Sequence, residues 1–285
     1  METSSRHHYI PRFYIKGFTN NDQLLFVYDK QNDRIQQNIS PKGIFYERDR
    51  NTMYFDEATS ILEDKWYQQL DDRCSQAIRN LREEPNIEGI LSNDNLADIQ
   101  FFVLCLFWRI PKTDYAFERY IREAKIGFTD NNGEDFDDID REHSLKNDVN
   151  YKKIARAFIS NQALKNFTQI QGQIHAQLFD KGRDLFLLGD YPMVFKKTPS
   201  TFDDLFHTDF YLPISSKRLF YSARNQRELK FEFGKILRIN ALVIDQSVRY
   251  ICSPNLEYLR DNVTYYKRSR AEGVISLLHD EVFNK

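Results

Sequence analysis

The sequence predicts an α+β fold: a predominantly helical middle with three long helices, flanked by a small N-terminal β-hairpin region and a C-terminal antiparallel β region closed by helices. Three observations carry this. β-forming residues cluster near the start, in Leu24-Leu25-Phe26-Val27-Tyr28, and again in short apolar runs between 185 and 221. Between these clusters apolar residues recur at three- and four-residue steps over long stretches. Gly (10) and Pro (8) are scarce among 285 residues, which favours long elements over tight turns. One core can serve a chain of this length, so one domain is expected over 1–285, with a β region at 1–55, helices at 56–182, and a β region with closing helices at 183–285.

Taken in order, the chain opens on Arg6-His7-His8-Tyr9-Ile10-Pro11-Arg12-Phe13-Tyr14-Ile15-Lys16-Gly17-Phe18, read as an extended segment. A hairpin is expected near 24–39, with Asn32-Asp33 supplying the turn. From about Asp56 the period lengthens. Leu62, Trp66, Leu70, Cys74, Ile78 and Leu81 mark an amphipathic helix that ends before Pro85. Ser92 and Asp94 are candidate caps for the next helix, which is apolar on every face from Phe101 to Trp108 and so belongs at the centre. Pro111 stops or kinks it, and Thr113 can cap its continuation. The carboxylate-rich segment 129–142 reads as a mobile acidic loop; a calcium loop fails, because aligning Gly133 would put Phe128 where the first carboxylate belongs. A third long helix is expected from about Val149 to Asp180. Short strands follow at 185–188, 193–195, 210–212 and 218–221, then a helix near Lys235–Cys252 and a short one from Ser253-Pro254.

Forty Lys and Arg against forty-two Asp and Glu leave a formal charge of −2, so the chain as a whole exerts no pull on nucleic acid, and such binding needs a local patch. Apolar residues at 41% and aromatics at 14% are too rich for disorder. Cys74, Cys105 and Cys252 lie far apart with no CxxC pair, which argues against a structural zinc site and fits a reducing compartment. No signal peptide opens the chain and no run is long enough to cross a bilayer, so a cytoplasmic protein with no membrane partner is expected. No Gly-rich phosphate loop, HExxH or GxSxG occurs.

The opening stretch concentrates the usable chemistry. In a strand, His7 and His8 point to opposite faces, which suits one base or ligand with one orienting residue. His8-Tyr9-Ile10-Pro11 is similar to the start of the HNH nuclease motif, but the later Asn and His of that motif are missing. Arg6, Arg12 and Lys16 among aromatics can hold a phosphate and stack a base. The plainer reading is that the histidines anchor the N-terminus, with Ile10, Phe13, Ile15 and Phe18 as core and the cations as a solvated face. Arg109, just below the apolar helix, must find a partner: Glu63, Asp64, Asp190 or an anionic ligand. Asp190 follows an apolar strand, where it either faces a site or stabilises a turn.

These segments resemble a bacterial family known as domain of unknown function 4238. Its opening His-His-Tyr-(Val/Ile)-Pro-x-Phe-Tyr-Leu-x-x-Phe corresponds to His7 through Phe18. Its short strand corresponds to Leu25–Lys30, its Glu-bearing helix to Ile61-Leu62-Glu63, and its Arg-x-Pro to Arg109-Ile110-Pro111. Two departures stand out: the family's Ser-Asp-x-Pro turn has Gly189 before Asp190, and its Pro-Leu-Ser reads Pro213-Ile214-Ser215. The resemblance brings no activity; families of this kind often sit in mobile or antiviral gene clusters.

The sequence therefore supports two expectations. The first is a hydrolase, nuclease-like, acting on a phosphate-containing substrate, with His7, His8, Glu63 and Asp190 as catalytic residues and Arg12, Arg109 and Lys30 binding substrate. A carboxylate would hold a divalent metal or orient the histidine, the metal's identity being left open. The second is a non-catalytic module that binds a protein, a nucleotide or a nucleic acid.

Overall fold

The computed structural model describes residues 5–83, 89–90, 93–129, 134–167, 174–199, 204–224 and 232–283. The fold is α+β. The opening stretch forms strand β1 (Arg6–His8) and the single-turn helix α1 (Arg12–Ile15), which tightens into a 3₁₀ turn over Lys16–Phe18. Strands β2 (Leu25–Asp29) and β3 (Arg34–Ile39) make the expected hairpin, with Asp33 at a φ of 48° in its turn. Three short strands follow: β4 (Tyr46–Arg48), β5 (Met53–Tyr54) and β6 (Ala58–Thr59). A π-helical segment, Leu62–Tyr67, leads into α2 (Gln68–Glu83). After β7 (Gly89–Ile90) come α3 (Asn93–Arg109), α4 (Asp114–Glu123), β8 (Phe128–Thr129), β9 (Asp135–Phe136), α5 (Ile139–Asn147) and α6 (Val149–Phe167). The C-terminal part holds β10 (Ile174–Asp180), β11 (Leu188–Gly189), β12 (Val194–Phe195), α7 (Asp204–His207), β13 (Phe210–Pro213) and β14 (Arg218–Arg224). It closes with α8 (Phe233–Gln246), β15 (Tyr250–Ser253), α9 (Leu256–Ala271) and α10 (Ile275–Phe283).

Where the elements differ from expectation, the cause is tertiary pairing. The helix expected to run to Asp180 is described over Val149–Phe167, 168–173 lie outside the described residues, and Ile174–Asp180 is a strand held between β14 and β7. Ile174 and Leu178 are four apart, a spacing that a period of two and a period of 3.6 both satisfy. The helix expected through Cys252 likewise stops at Gln246, and Tyr250–Ser253 pairs with β2. The helix after Ser253-Pro254 is long rather than short, and Asn255 caps its start by accepting the Tyr258 amide. The acidic segment is only partly loop: β9 and the start of α5 lie in it, with Asp138 accepting the Arg141 amide, while 130–133 fall outside the described residues. Thr113 donates its hydroxyl to the Phe107 and Ile110 carbonyls rather than capping α4. Ser92 also lies outside the described residues, as does the side chain of Asp94.

Every sheet is antiparallel. The larger has the order β12-β13-β14-β10-β7, and a second runs β11-β15-β2-β3. Both cross the three regions drawn on the chain: β2 pairs with β15 from the last region, and β10, in the middle region, pairs with β14 from the last. The helix α3 is sheathed as its all-apolar run requires, with Phe101 to Trp108 buried throughout. The first-helix stripe lies against it through Leu70, Cys74, Ile78 and Leu81, and all three cysteines are buried free thiols. The opening signature joins this core through Tyr14, whose ring meets Phe102 edge-on at 4.9 Å. Among the described residues no helix is long and apolar enough to cross a membrane.

Two polar anchors hold the second sheet to α8. Lys30 donates to the Ile244, Asp245 and Ser247 carbonyls at 2.6–2.9 Å, closing the C-terminal end of that helix as a cation there should. Asp190 accepts the amides of Val248, Arg249 and Tyr250 at 2.7–3.1 Å, which ties the turn after β11 to the start of β15. Replacing Asp190 by Ala strands three amides at a buried position, so we expect a loss of about 2–3 kcal/mol in urea denaturation.

Candidate functional site

The site is built where β1 pairs with β4, His7 opposite Glu47 and His8 opposite Tyr46. The alternation of a strand sends the two imidazoles to different surroundings. His7 is completely buried, and its Nδ1 accepts the Asn51 amide at 2.9 Å. The side chain of Asn51 then donates to Glu63 Oε2 at 2.8 Å, so His7 and Glu63 are joined through one intervening residue.

His8 is half-buried, its ring 5.7 Å from that of Tyr46. The backbone of Pro41 and Lys42 favours the protonated ring, while Nε2 is buried without any hydrogen-bond partner. In either neutral tautomer Nε2 is left with an unmet hydrogen-bonding capacity. Burial, and after it the positive charge of Arg12, pushes the pKa down from 6.5 to about 4, and Arg109 adds to the effect. The base is thus neutral near pH 7 and faces positive charge.

Arg109, at the end of α3, is almost wholly buried. It pairs with Asp71 on α2 and lies 4.5 Å over the Tyr67 ring. Its Nε has no hydrogen-bond partner. Burial works against the charged guanidinium, but Asp71 and then Glu63 outweigh it and raise its pKa. Burial pushes the Asp71 carboxyl the other way, up, against the pull of Arg109. We take the pair as ionised, since Asp71 keeps 29% of its side chain exposed and a guanidinium holds its proton.

Of the residues expected at the site, His7, His8, Glu63, Arg12 and Arg109 are drawn together by these contacts and charges. Arg12 projects to solvent from α1. Asp190 and Lys30 are placed elsewhere: each spends its charge on backbone groups around the end of α8, so the expected role for them gives way to fold-holding contacts. Burial raises the Asp190 carboxyl despite its three amide donors. Arg109 was expected to meet Glu63, Asp64 or Asp190, yet its ion-pair partner is Asp71. A signal for Asp71 exists, since it lies one step from Leu70 and three from Cys74, on the stripe that faces α3. For Asn51 the sequence offers none, as only pairing of distant strands brings its amide to His7. Among the described residues, no group of three or more His, Cys, Asp or Glu is arranged to hold a metal ion.

Other segments of the signature also meet. Tyr14 donates to the Pro213 carbonyl, and the Ser216 amide donates to the Gly17 carbonyl at 3.0 Å, joining the opening stretch to Pro213-Ile214-Ser215. At Gly189 a Cβ would collide with Ser247 Oγ, which takes up the space beside that turn. No curated protein and no solved structure matches the chain. The family model described as protein of unknown function DUF4238 matches residues 6–255, with the His-His opening, Glu63, Arg109 and the Gly189-Asp190 turn inside the match, and the chain belongs to that family.

Proposed function

We propose that the protein hydrolyses a phosphate-containing substrate, with a phosphodiester as the most fitting class, and that His8 is its general base. The observation that supports this reading is the buried, unpartnered Nε2 of a neutral imidazole beside the charges of Arg12 and Arg109. An unpaired polar atom in such a place costs free energy, and a bound water or phosphate oxygen would offset that cost. Burial would still depress His8, but an anion between the guanidinium groups would offset the part that Arg12 and Arg109 contribute, so substrate binding itself would strengthen the base. In the tautomer protonated on Nδ1, His8 would then take a proton from the attacking water through Nε2. Arg12 and the free Nε–H of Arg109 would meet the developing negative charge. His7, Asn51 and Glu63 would position the strand that carries His8, and the reading routes no step through a metal.

The test is turnover of bis(p-nitrophenyl) phosphate by the parent chain and by His8→Asn. Full burial of His7 favours the second reading, a recognition module in which the same cluster tethers the N-terminal strand. That module would bind a phosphorylated ligand with no turnover, and His8→Asn would change nothing in the assay.

A further inference from the structure

We propose that the cleft between α1, the C-terminal end of α2 and the β13–β14 turn binds a nucleotide phosphate, at a site separate from the His8 cluster. The cleft has a volume of about 640 Å³, within the range that holds a small ligand. Lys16, Arg79, Arg82 and Lys217 line it against only two carboxylates, Glu83 and Asp184. Asp184 is already engaged, accepting the Ser216 hydroxyl at 2.6 Å. Among the described residues none of the four cations forms an ion pair with a carboxylate.

Arg82 carries the argument furthest. It is half-buried, and its Nη1 donates at 3.1 Å to the Phe13 carbonyl, a neutral acceptor, while the nearby Glu83 carboxylate acts on it without forming an ion pair. The wall is shaped to admit it: a Cβ on Gly17 would lie 2.7 Å from Arg82 Nη1 and 3.3 Å from the Ile214 carbonyl oxygen. Four cations brought together from three elements, against two carboxylates that form no ion pair with them, suit a phosphate group rather than a neutral ligand. Phe13, its ring packed 5.8 Å from that of Phe102, also lines the cleft. The phosphate could come from a free nucleotide or from a single strand, since both present the same chemistry to these cations.

The test is calorimetric titration of the full chain with adenosine monophosphate and, in a second arm, with a short oligothymidylate. At least one is expected to bind, with the affinity falling as salt rises. Lys16→Ala combined with Lys217→Ala should weaken that binding at least tenfold while leaving the melting temperature in place, because both side chains are exposed. His8→Asn should leave the affinity unchanged, which separates this site from the proposed reaction. Binding by the nucleotide alone assigns the cleft to a free ligand, and binding by the strand alone assigns it to a polynucleotide. Absence of binding in both arms, indifference to the double substitution, or loss on His8→Asn would each overturn the inference.

Discussion

Arg109→Ala is expected to destabilise the protein by about 3–5 kcal/mol in chemical denaturation, the largest single effect we foresee. The guanidinium is 4% exposed, pairs with Asp71 and covers the Tyr67 ring. Truncation leaves the Asp71 carboxylate facing a cavity with no counter-charge, so the cost is mainly that of an orphaned charge rather than of a lost contact. Asp71→Ala alone should also destabilise, and the double variant should be less damaged than the sum of the singles. The denaturation cycle over the four proteins measures this coupling. Additive losses would mean that Asp71 and Arg109 do not depend on each other, and Arg109 would then be free to serve a ligand without a structural charge.

His8→Asn is expected to lower phosphodiester turnover by roughly 10²–10⁴-fold while changing stability by less than about 1 kcal/mol. The asymmetry follows from the two ring nitrogens. An Asn side chain stays polar beside the backbone of Pro41 and Lys42, whereas the removed Nε2 has no partner to lose. The substitution should also change acid sensitivity. A folded-state pKa near 4 against an unfolded value near 6.5 means that the unfolded chain binds the proton more readily. His8 therefore costs nothing above about pH 6.5 and destabilises progressively as pH falls from there towards 4, a loss that His8→Asn should remove. Equal turnover in parent and variant would remove His8 from the reaction.

What could be read from the sequence is what local periodicity controls. The apolar run from Phe101 to Trp108 implied a surrounded helix, and Leu25 to Ile39 implied a hairpin; both hold. Periodicity misled where one spacing fits two structures, as at Ile174 and Leu178, and where a distant strand recruits a segment, as β2 recruits Tyr250–Ser253. The site was legible in the same uneven way. His7 and His8 had to face apart once they sat on a strand, and Arg109 had to find an acid. That the acid is Asp71, that Asn51 links His7 to Glu63, and that Asp190 caps a turn all depend on contacts between segments far apart in the chain. Lys30 illustrates the limit well. A lysine at the end of a strand looks available for substrate, yet the end of α8 arrives beside it and takes all its donors.

The electrostatics of His8 can be observed without knowing the substrate. Nitrogen-15 NMR of the imidazole, titrated over pH with and without inorganic phosphate, reports both its pKa and its tautomer. We predict a midpoint near 4 in the free protein, a neutral ring protonated on Nδ1, and a clear rise of the midpoint when phosphate binds between Arg12 and Arg109. A midpoint near 6.5 that phosphate leaves unmoved would contradict the account.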